Sequence, residues 1–315
     1  MFHVKQSEKA SMRDDLGMDT PLARELADLS VRRRALENVN VSFTGDTRVL
    51  TVSNQKGGVG KTTSAVNIAA ALAQLGAKVL VIDLDPQGNA STALGVTHTA
   101  DTPSIYDVLI NDLPFEEIVQ QSPESPNLAA APSTIHLAGA EIELVSQVAR
   151  EFRLRRSLET YLSTHPTDVV IIDCPPSLGL LTINAFTAAS EVFIPIQCEY
   201  YALEGLSQLL GSIQMIQKHL NPELHLSTIL LTMYDGRTRL AQQVADEVRT
   251  HFPQQVLDTV IPRSVRVSEA PSFGQTVITY DGTSAGAVAY REAAVEIARR
   301  ATRDEAAQEN QKKEN

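Results

Sequence analysis

The chain of 315 residues is long for one ordinary domain, although a single α/β domain with terminal extensions reaches this length. Hydrophobic residues make up 43% and charged residues 21% of it, which excludes a wholly disordered protein. The formal charge of −11 disfavours a surface that binds polyanions throughout, so any nucleic-acid contact would need a local basic patch. The sequence has no apolar run long enough to predict a transmembrane helix, and no apolar segment at its start that predicts a secretory signal.

The chain has two cysteines, Cys174 and Cys198, both in apolar, strand-like stretches. This number excludes a disulfide framework and fits an intracellular reducing compartment. We interpret both as buried structural thiols. The seven histidines are scattered and show no metal-ligand spacing.

Residues 1–47 are rich in charge and contain no strand-like run. Leucines at roughly helical spacing within 21–38 predict one short amphipathic helix in a mobile arm, and the alternative is a poorly ordered extension; they are Leu22, Leu26, Leu29 and Leu36. Three arginines at 32–34 are a weak signal for contact with nucleic acid or a partner. At the other end, 303–315 is polar without an apolar face, which predicts a disordered tail.

Between these extensions, short apolar runs alternate with helical patterns. Strands are predicted over 48–54, 78–83, 168–173, 192–196, 226–232 and 256–261, and helices over 61–75, 136–162, 178–189, 203–219, 239–251 and 284–302. The strands are nearly continuous in Val, Ile and Leu, which indicates burial on both faces. We therefore predict one α/β domain over 48–302, with a mostly parallel twisted sheet and helices on both faces.

The segment KGGVGKTT at 56–63 follows a predicted strand and opens a predicted helix, the context of a phosphate-binding loop. Its glycines let backbone N–H groups approach phosphate oxygens, and the helix N-terminus adds partial positive charge. Lys61 would reach the β- and γ-phosphates of ATP, the Thr62 hydroxyl would ligate Mg²⁺, and Thr63 would bond an inner phosphate. The nucleotide-binding residues of this loop would be Lys56, Gly57, Gly58, Val59, Gly60, Lys61, Thr62 and Thr63.

The loop departs from the usual phosphate-loop pattern at its start. Gln55 stands where that pattern has glycine, and Lys56 adds a second cation. A second lysine near phosphates is costly unless it meets anions. Its side chain would either fold back onto its own nucleotide or reach that of another subunit.

Carboxylates follow two of the predicted strands at the edge where ligands bind in parallel sheets. Asp173 ends the third strand, and we expect it to hold Mg²⁺ directly or through water. Asp83 and Asp85 end the second strand, and Asp83, closer to the strand, is the more structural of the two. The alternative for each is an ordinary turn or helix-cap aspartate.

This loop resembles the deviant Walker A motif of the ParA/MinD family of ATPases, and the likeness to the chromosomal ParA (Soj) branch continues along the chain. The segments that carry it are VIDLDPQGNAS at 81–91, LAGAEIEL at 137–144, IIDCPPSLGLLTINA at 171–185, QCEYYALEGL at 197–206, LTMYDGRT at 231–238 and IPRSVRVSEAPSFGQ at 261–275. It covers about 48–300 and leaves out the N-terminal arm.

The resemblance implies a slow ATPase that acts as a switch in chromosome partition, in the cytoplasm and on the nucleoid. Its ATP homodimer would bind double-stranded DNA nonspecifically, and ParB would stimulate hydrolysis and release it. By position in the motifs, Lys56, Lys61 and Asp85 would be catalytic, with Asp85 orienting the attacking water. Met233 and Pro262 would contact adenine.

Basic residues follow two further strands. Arg237 and Arg239 come after one, and Arg263 and Arg266 after the next, so both pairs lie at one edge of the predicted sheet. The resemblance implies that Arg237 and Arg266 contact DNA phosphates. The alternative is arginines paired with nearby acids such as Asp235 and Glu269.

Other classes compete with this interpretation. A MinD-like membrane-associated positioning ATPase is the main alternative, but it should end in a basic, apolar helix, and the tail after 303 is too polar. An electron-transfer ATPase needs cluster cysteines, and a tyrosine autokinase needs a tyrosine-rich tail. A metabolic phosphotransferase would be revealed by an acceptor-dependent product. The arm is too short to predict a helix-turn-helix domain.

Overall fold

The computed structural model describes the backbone of residues 20–37, 39–43, 45–200 and 202–314, and their side chains except those of 21, 22 and 301–314. The chain divides into two compact units, Met1–Val39 and Asn40–Asn315.

The first unit contains helix α1 (Pro21–Glu37), which lies where the sequence predicts the helix of the arm. Leu26 and Val31 on this helix are largely exposed. The second unit begins before the predicted boundary at 48, because Val41 and Phe43 pack against one of its apolar clusters. The division into arm, ATPase domain and tail otherwise stays a prediction.

The second unit is built on one eight-stranded sheet. Its strands are β1 (Arg48–Val52), β2 (Val79–Asp83), β3 (Gln120–Gln121), β4 (Leu128–Ala131), β5 (Val169–Asp173), β6 (Glu191–Gln197), β7 (His225–Tyr234) and β8 (Val256–Pro262). Their order is β3-β4-β2-β5-β1-β6-β7-β8. All neighbours are parallel except β3 and β4, which are antiparallel.

Helices connect these strands. They are α2 (Lys61–Gln74), α3 (Asn89–Ala93), α4 (Ile105–Asn111), α5 (Leu137–Glu143), α6 (Arg153–Leu162), α7 (Leu180–Ala188), α8 (Ala202–His219), α9 (Arg239–His251), α10 (Val265–Glu269), α11 (Val277–Tyr280) and α12 (Ala285–Glu314). Short 3₁₀ turns cover Phe115–Glu117, Leu144–Ser146 and Ala270–Phe273. No helix among the described residues is long and apolar enough to span a membrane.

The sheet is covered on both faces, because successive strand side chains point to opposite sides. Along β5, Val170 and Ile172 join the apolar cluster that contains side chains of α4 and α6–α9. Val169 and Ile171 join the other cluster, with side chains of α2 and α12. All five residues of β5 are buried. The predicted α/β class, with a mostly parallel sheet between two helical layers, is confirmed.

The six predicted strands are all present, and β3 and β4 are additions. Sequence patterning did not indicate β4 because Leu128–Ala131 is mostly alanine, which has low strand propensity. Tertiary pairing with β2 overrides that preference.

The single predicted helix over 136–162 is wrong, because the structure interrupts it between α5 and α6. Ala149 adopts a left-handed conformation with φ 51°, which no α-helix continues through. Side chains of α7 hold this break: Asn184 donates to the Arg150 carbonyl at 2.8 Å, and Thr187 donates to the Glu151 carbonyl at 2.7 Å. The interruption thus depends on partners that are distant in the sequence.

Helix α12 continues to Glu314, beyond the predicted helix end at 302. The segment after 302 contains alanine, glutamate, glutamine, lysine and arginine and no glycine or proline, a composition with high helix propensity. Lack of an apolar face, on which the prediction of a disordered tail was based, does not by itself prevent a solvated helix.

Candidate nucleotide site at the carboxyl ends of the strands

The predicted phosphate loop connects β1 to α2 at the carboxyl edge of the sheet. Gly58 has φ 75° and Gly60, which precedes α2, has φ 87°, conformations that favour glycine. A Cβ added at Gly57 or Gly58 would meet no atom within 4 Å, so the concave side of the loop is open. Positive φ values, exposed backbone and a helix N-terminus form the kind of cradle that binds phosphate groups.

Lys61 lies at the base of this loop and is only 8% exposed. Its Nζ donates to the Lys56 carbonyl at 3.4 Å. Burial lowers the pKa of Lys61, while the charges of Asp173 and Asp85 act in the opposite direction. A buried ammonium between carboxylates and an open loop is placed to meet an anion there.

Asp173 lies at the end of β5, directly opposite Val52 on β1 and Asp83 on β2 in the strand register. It is fully buried, and neither carboxylate oxygen accepts a hydrogen bond among the described residues. Burial and the charge of Asp83 raise its pKa well above the ordinary value, although the nearby Thr62 hydroxyl favours the charged form.

An orphaned buried carboxylate needs a cation or proton. The pair Thr62 and Asp173 fits Mg²⁺, which binds one or two protein oxygens together with phosphates and waters. The structure places the Thr62 hydroxyl beside the Asp173 carboxyl, and binding of a metal by these two residues stays a prediction. Among the described residues, no group of three or more His, Cys, Asp or Glu side chains is arranged to hold a metal ion.

Asp83 has a different environment from its neighbour. Its carboxylate accepts hydrogen bonds from the Ser91 backbone and hydroxyl at 2.8 and 2.7 Å, and from the Asp85 backbone at 3.1 Å. Burial raises its pKa, as it does for Asp173, but these donors oppose the shift. Asp173 has no such backbone donors, so of the two carboxyl groups it holds a proton more readily. Asp83 anchors the start of α3 to the end of β2, which is the structural role expected for it.

Asp85 lies two residues beyond β2 and is partly exposed. Its Oδ1 accepts from the Gln87 backbone at 3.0 Å, so the residue also closes a local turn. Its negative charge raises the pKa of Lys61, Asp83 and Asp173. The structure thus places Asp85 beside the loop lysine and the buried carboxylates, as a water-orienting residue would need.

Lys56 is exposed, unlike Lys61. Its Nζ forms an ion pair of 2.5 Å with Glu199, which follows β6. Its backbone N–H donates to Asn54 Oδ1 at 3.0 Å, and the Asn54 amide donates to the Pro195 carbonyl at 2.8 Å. Sequence reasoning missed both Asn54 and Glu199. The signal available for each was a polar residue two positions beyond the end of a buried strand.

The end of β7 closes the other side of the loop. Thr232, also missed, donates its hydroxyl to the Val59 carbonyl at 2.8 Å. Met233 has φ 48°, and its Cε lies 3.8 Å from the position of a Cβ on Gly60. Pro262 on β8 pairs in register with Tyr234. Met233 therefore lies beside the loop and Pro262 one strand further from it, and contact of either with adenine stays a prediction.

The arginines lie on the segments that follow the neighbouring strands β7 and β8, with Arg239 at the start of α9 and Arg266 within α10. Arg237 is 90% exposed and pairs with Asp235 at 2.8 Å. Arg266 is 56% exposed and pairs with Glu269 at 3.1 Å and Asp281 at 3.4 Å. Hydrogen bonding from Arg237, with a smaller effect of Arg263, lowers the pKa of Asp235 to about 2. Arg239 and Arg263 are also exposed. The arginines share one edge, as predicted, and the acid pairs named as the alternative are present too.

The two cysteines are buried, which agrees with structural thiols. Burial raises the pKa of Cys174 to about 12 and that of Cys198 to about 11. Cys174 Sγ lies 3.0 Å from the Thr51 hydroxyl.

Comparison with known proteins identifies relatives over most of the chain. An AAA-domain family model (AAA_31) matches residues 47–226. The sporulation initiation inhibitor protein Soj of Bacillus subtilis is 52% identical over 80% of this chain and 98% of its own length. The chromosome partitioning protein ParA of Myxococcus xanthus is 50% identical over 81% of this chain and 89% of its own length.

Among solved structures, cobyrinic acid a,c-diamide synthase from Mycobacterium smegmatis with bound ADP and magnesium is 41% identical, with a TM-score of 0.68 over 79% of this chain and 92% of that one. Its name denotes a different enzyme, whereas the ParA relatives of Myxococcus xanthus and Caulobacter vibrioides, at 50% and 51% identity, are named chromosome partitioning proteins. The family model covers more than half of the chain, and these relatives align over nearly their full length. The chain therefore belongs to the ParA/Soj family of P-loop ATPases.

Proposed function

We propose that this chain is the ATP-dependent switch of a chromosome-partition system. It dimerises with ATP, binds double-stranded DNA nonspecifically as that dimer, and leaves DNA when ParB stimulates hydrolysis. Its family membership makes it an ATPase of the chromosome-partitioning class, with ATP and Mg²⁺ as cofactors. In this proposal the protein acts in the cytoplasm, associated with the nucleoid and not with a membrane.

The observation that carries the proposal is the different placement of the two loop lysines. Lys61 is buried beside Asp173, where it would serve its own nucleotide. Lys56 is exposed and its side chain contacts Glu199 rather than the loop. A cation outside its own site is available to a facing protomer, which supports coupling of hydrolysis to dimerisation.

Each residue of the site then has one task. Lys61 and the N–H groups of 57–60 would hold the β- and γ-phosphates, and Thr62 with Asp173 would hold Mg²⁺, Asp173 directly or through water. When bound, Mg²⁺ neutralises charge on the phosphoryl group during transfer. Asp85 would orient the attacking water, and Lys56 of the facing protomer would add positive charge at the same point.

DNA contact is assigned to Arg237 and Arg266, whose exposed side chains follow neighbouring strands. Phosphate contacts alone suffice for sequence-independent binding. On a chain with a formal charge of −11, one protomer offers few such contacts, so a dimer that doubles them should bind far better.

The test is DNA binding by the full chain with ATP and Mg²⁺, with ADP and Mg²⁺, and without nucleotide. Binding to unrelated duplexes of equal length should be similar, and should require ATP. The Lys61→Ala variant loses the main positive charge that would contact the β- and γ-phosphates, so it should bind no DNA under any of these conditions. Equal DNA binding with ATP, with ADP and without nucleotide would overturn the proposal.

A further inference from the structure

The ion pair between Lys56 and Glu199 joins two loops at the same edge of the sheet. Lys56 follows β1 and Glu199 follows β6, and these strands are hydrogen-bonded neighbours, with Val52 opposite Phe193. The two side chains are 41% and 46% exposed. The contact therefore lies at the surface beside the phosphate loop, where a facing protomer would approach.

We propose that Glu199 is a positioning residue that retains the Lys56 ammonium in its own protomer until the phosphates of a facing protomer draw it away. This inference rests on the proposed ATP-dependent dimer. It assigns Glu199 a role that opposes dimerisation, and so sets the protein concentration at which the switch closes.

The backbone supports exchange of this one side chain. The Lys56 N–H is held by Asn54, and Asn54 is in turn held by Pro195 on β6, so the start of the loop is fixed in the separate protomer. The long Lys56 side chain can leave Glu199 while these backbone contacts remain. Its ammonium cannot keep its contact with Glu199 and also cross to another chain.

The energetics favour a weak restraint that ATP overcomes. An exposed ion pair stabilises a protein only slightly, and salt screens it. Bound triphosphate presents more negative charge than one carboxylate, in a site shielded by two protomers where the effective dielectric is lower. A symmetric dimer breaks two such pairs, so their effects on the dimerisation constant multiply.

The experiment compares Glu199→Gln with Glu204→Gln, which removes the same charge from an exposed position in the first turn of α8. Dimerisation of the full chain with a nonhydrolysable ATP analogue and Mg²⁺ is measured by light scattering across protein concentration. Glu199→Gln should lower the midpoint, the protein concentration at which half of the chains are dimeric, about two- to tenfold, and Glu204→Gln should leave it unchanged. The difference should shrink between 50 mM and 500 mM salt, which a purely structural role of Glu199 does not predict.

The possible outcomes separate this inference from the proposed function. If wild-type protein stays monomeric with the analogue, the dimerising switch itself fails. If wild type dimerises but Glu199→Gln matches Glu204→Gln, the retention of Lys56 by Glu199 is refuted while the switch stands. A higher midpoint for Glu199→Gln also overturns it, since Glu199 would then assist Lys56 within the dimer.

Discussion

At the scale of single residues, the carboxylate of Asp173 is unusual because it is fully buried and yet accepts no hydrogen bond among the described residues. Most buried polar atoms in proteins have a partner. Asp83 on the next strand and Asp85 add negative charge around it, and Lys61 opposes them. The isolated chain therefore maintains an electrostatic cost at the place where a magnesium ion would relieve it.

We predict that Asp173→Asn stabilises the nucleotide-free protein. A carboxyl with a raised native pKa lowers stability as pH rises through that pKa, and this penalty is absent below the unfolded-state value of about 3.9. At pH 8 the variant should therefore gain on the order of 1 kcal/mol in free energy of unfolding over wild type, and the gain should vanish towards pH 4. Denaturant unfolding at several pH values measures it.

The same variant should lose Mg²⁺-dependent strengthening of ATP binding, measured by titration with and without the metal. Lower stability of the variant at pH 8, with Mg²⁺-dependent binding retained, would contradict both the electrostatic cost and the metal role of Asp173.

Asp85→Ala separates binding from hydrolysis. Because Lys61, Thr62 and the loop N–H groups remain, ATP affinity should change by no more than a few-fold, while phosphate release slows about 100-fold or more. The ATP dimer should then persist instead of turning over. The rate of phosphate release and the oligomer size in the presence of ATP measure these effects. The Lys61→Ala variant, which should no longer bind ATP, is the control. A monomeric, ATP-bound Asp85→Ala protein would argue against its assigned role.

At the scale of elements, the end of β7 is joined to the phosphate loop by a buried hydrogen bond. The Thr232 hydroxyl reaches the Val59 carbonyl from a strand far along the chain. Thr232→Val keeps the side-chain shape but removes this hydrogen bond, so stability should fall by about 1 kcal/mol and ATP binding should weaken about fivefold.

Thr228→Val provides the matched control for this effect. Thr228 is equally buried on β7, but its hydroxyl lies near Ser227 and not at the loop. It should lose a similar amount of stability without weakening ATP binding. Equal loss of ATP affinity in both variants, measured by nucleotide titration, would show that β7 acts through general stability alone.

At the scale of the whole molecule, each site should be complete only in the dimer. Lys56→Ala should still bind ATP through Lys61, Thr62 and the loop amides, but should neither dimerise nor hydrolyse, and DNA binding should fail with dimerisation. Lys78→Ala is the control, because Lys78 is an exposed lysine just before β2, on the opposite edge of the sheet. Light scattering with a nonhydrolysable analogue decides it: dimerisation of Lys56→Ala at wild-type concentrations would exclude the trans-acting role.

The exposed arginines that follow β7 and β8 lead to a separate prediction about DNA binding. Arg237→Glu and Arg266→Glu should each weaken binding of the ATP form about tenfold or more, equally on all sequences and with a shallower salt dependence, at unchanged ATP affinity. Lys218→Glu near the end of α8, on the opposite edge, is the charge-matched control. Fluorescence anisotropy on two unrelated duplexes measures it. Weaker binding to only one of the two duplexes would indicate that the arginines contact bases instead.

Local patterns in the chain determined the parallel α/β class, the six principal strands and the phosphate loop. Strands buried on both faces are typically rich in Val and Ile, and phosphate loops place glycines before a helix, so both leave a signature within a few residues. Asp173 followed from the same logic, since it ends a predicted strand, whereas the water-orienting role of Asp85 was implied by the family resemblance. These inferences needed no knowledge of what packs against what.

Tertiary structure alone decided the features that depend on distant partners. The alanine-rich β4 is a strand because β2 pairs with it, and the predicted helix over 136–162 breaks because Asn184 and Thr187 hold its carbonyls. The hydrogen bond from Thr232 to the phosphate loop and the pairing of Lys56 with Glu199 likewise join residues far apart in the chain. Periodicity and composition report what one segment prefers, whereas these contacts exist only once the sheet has brought its strand ends together.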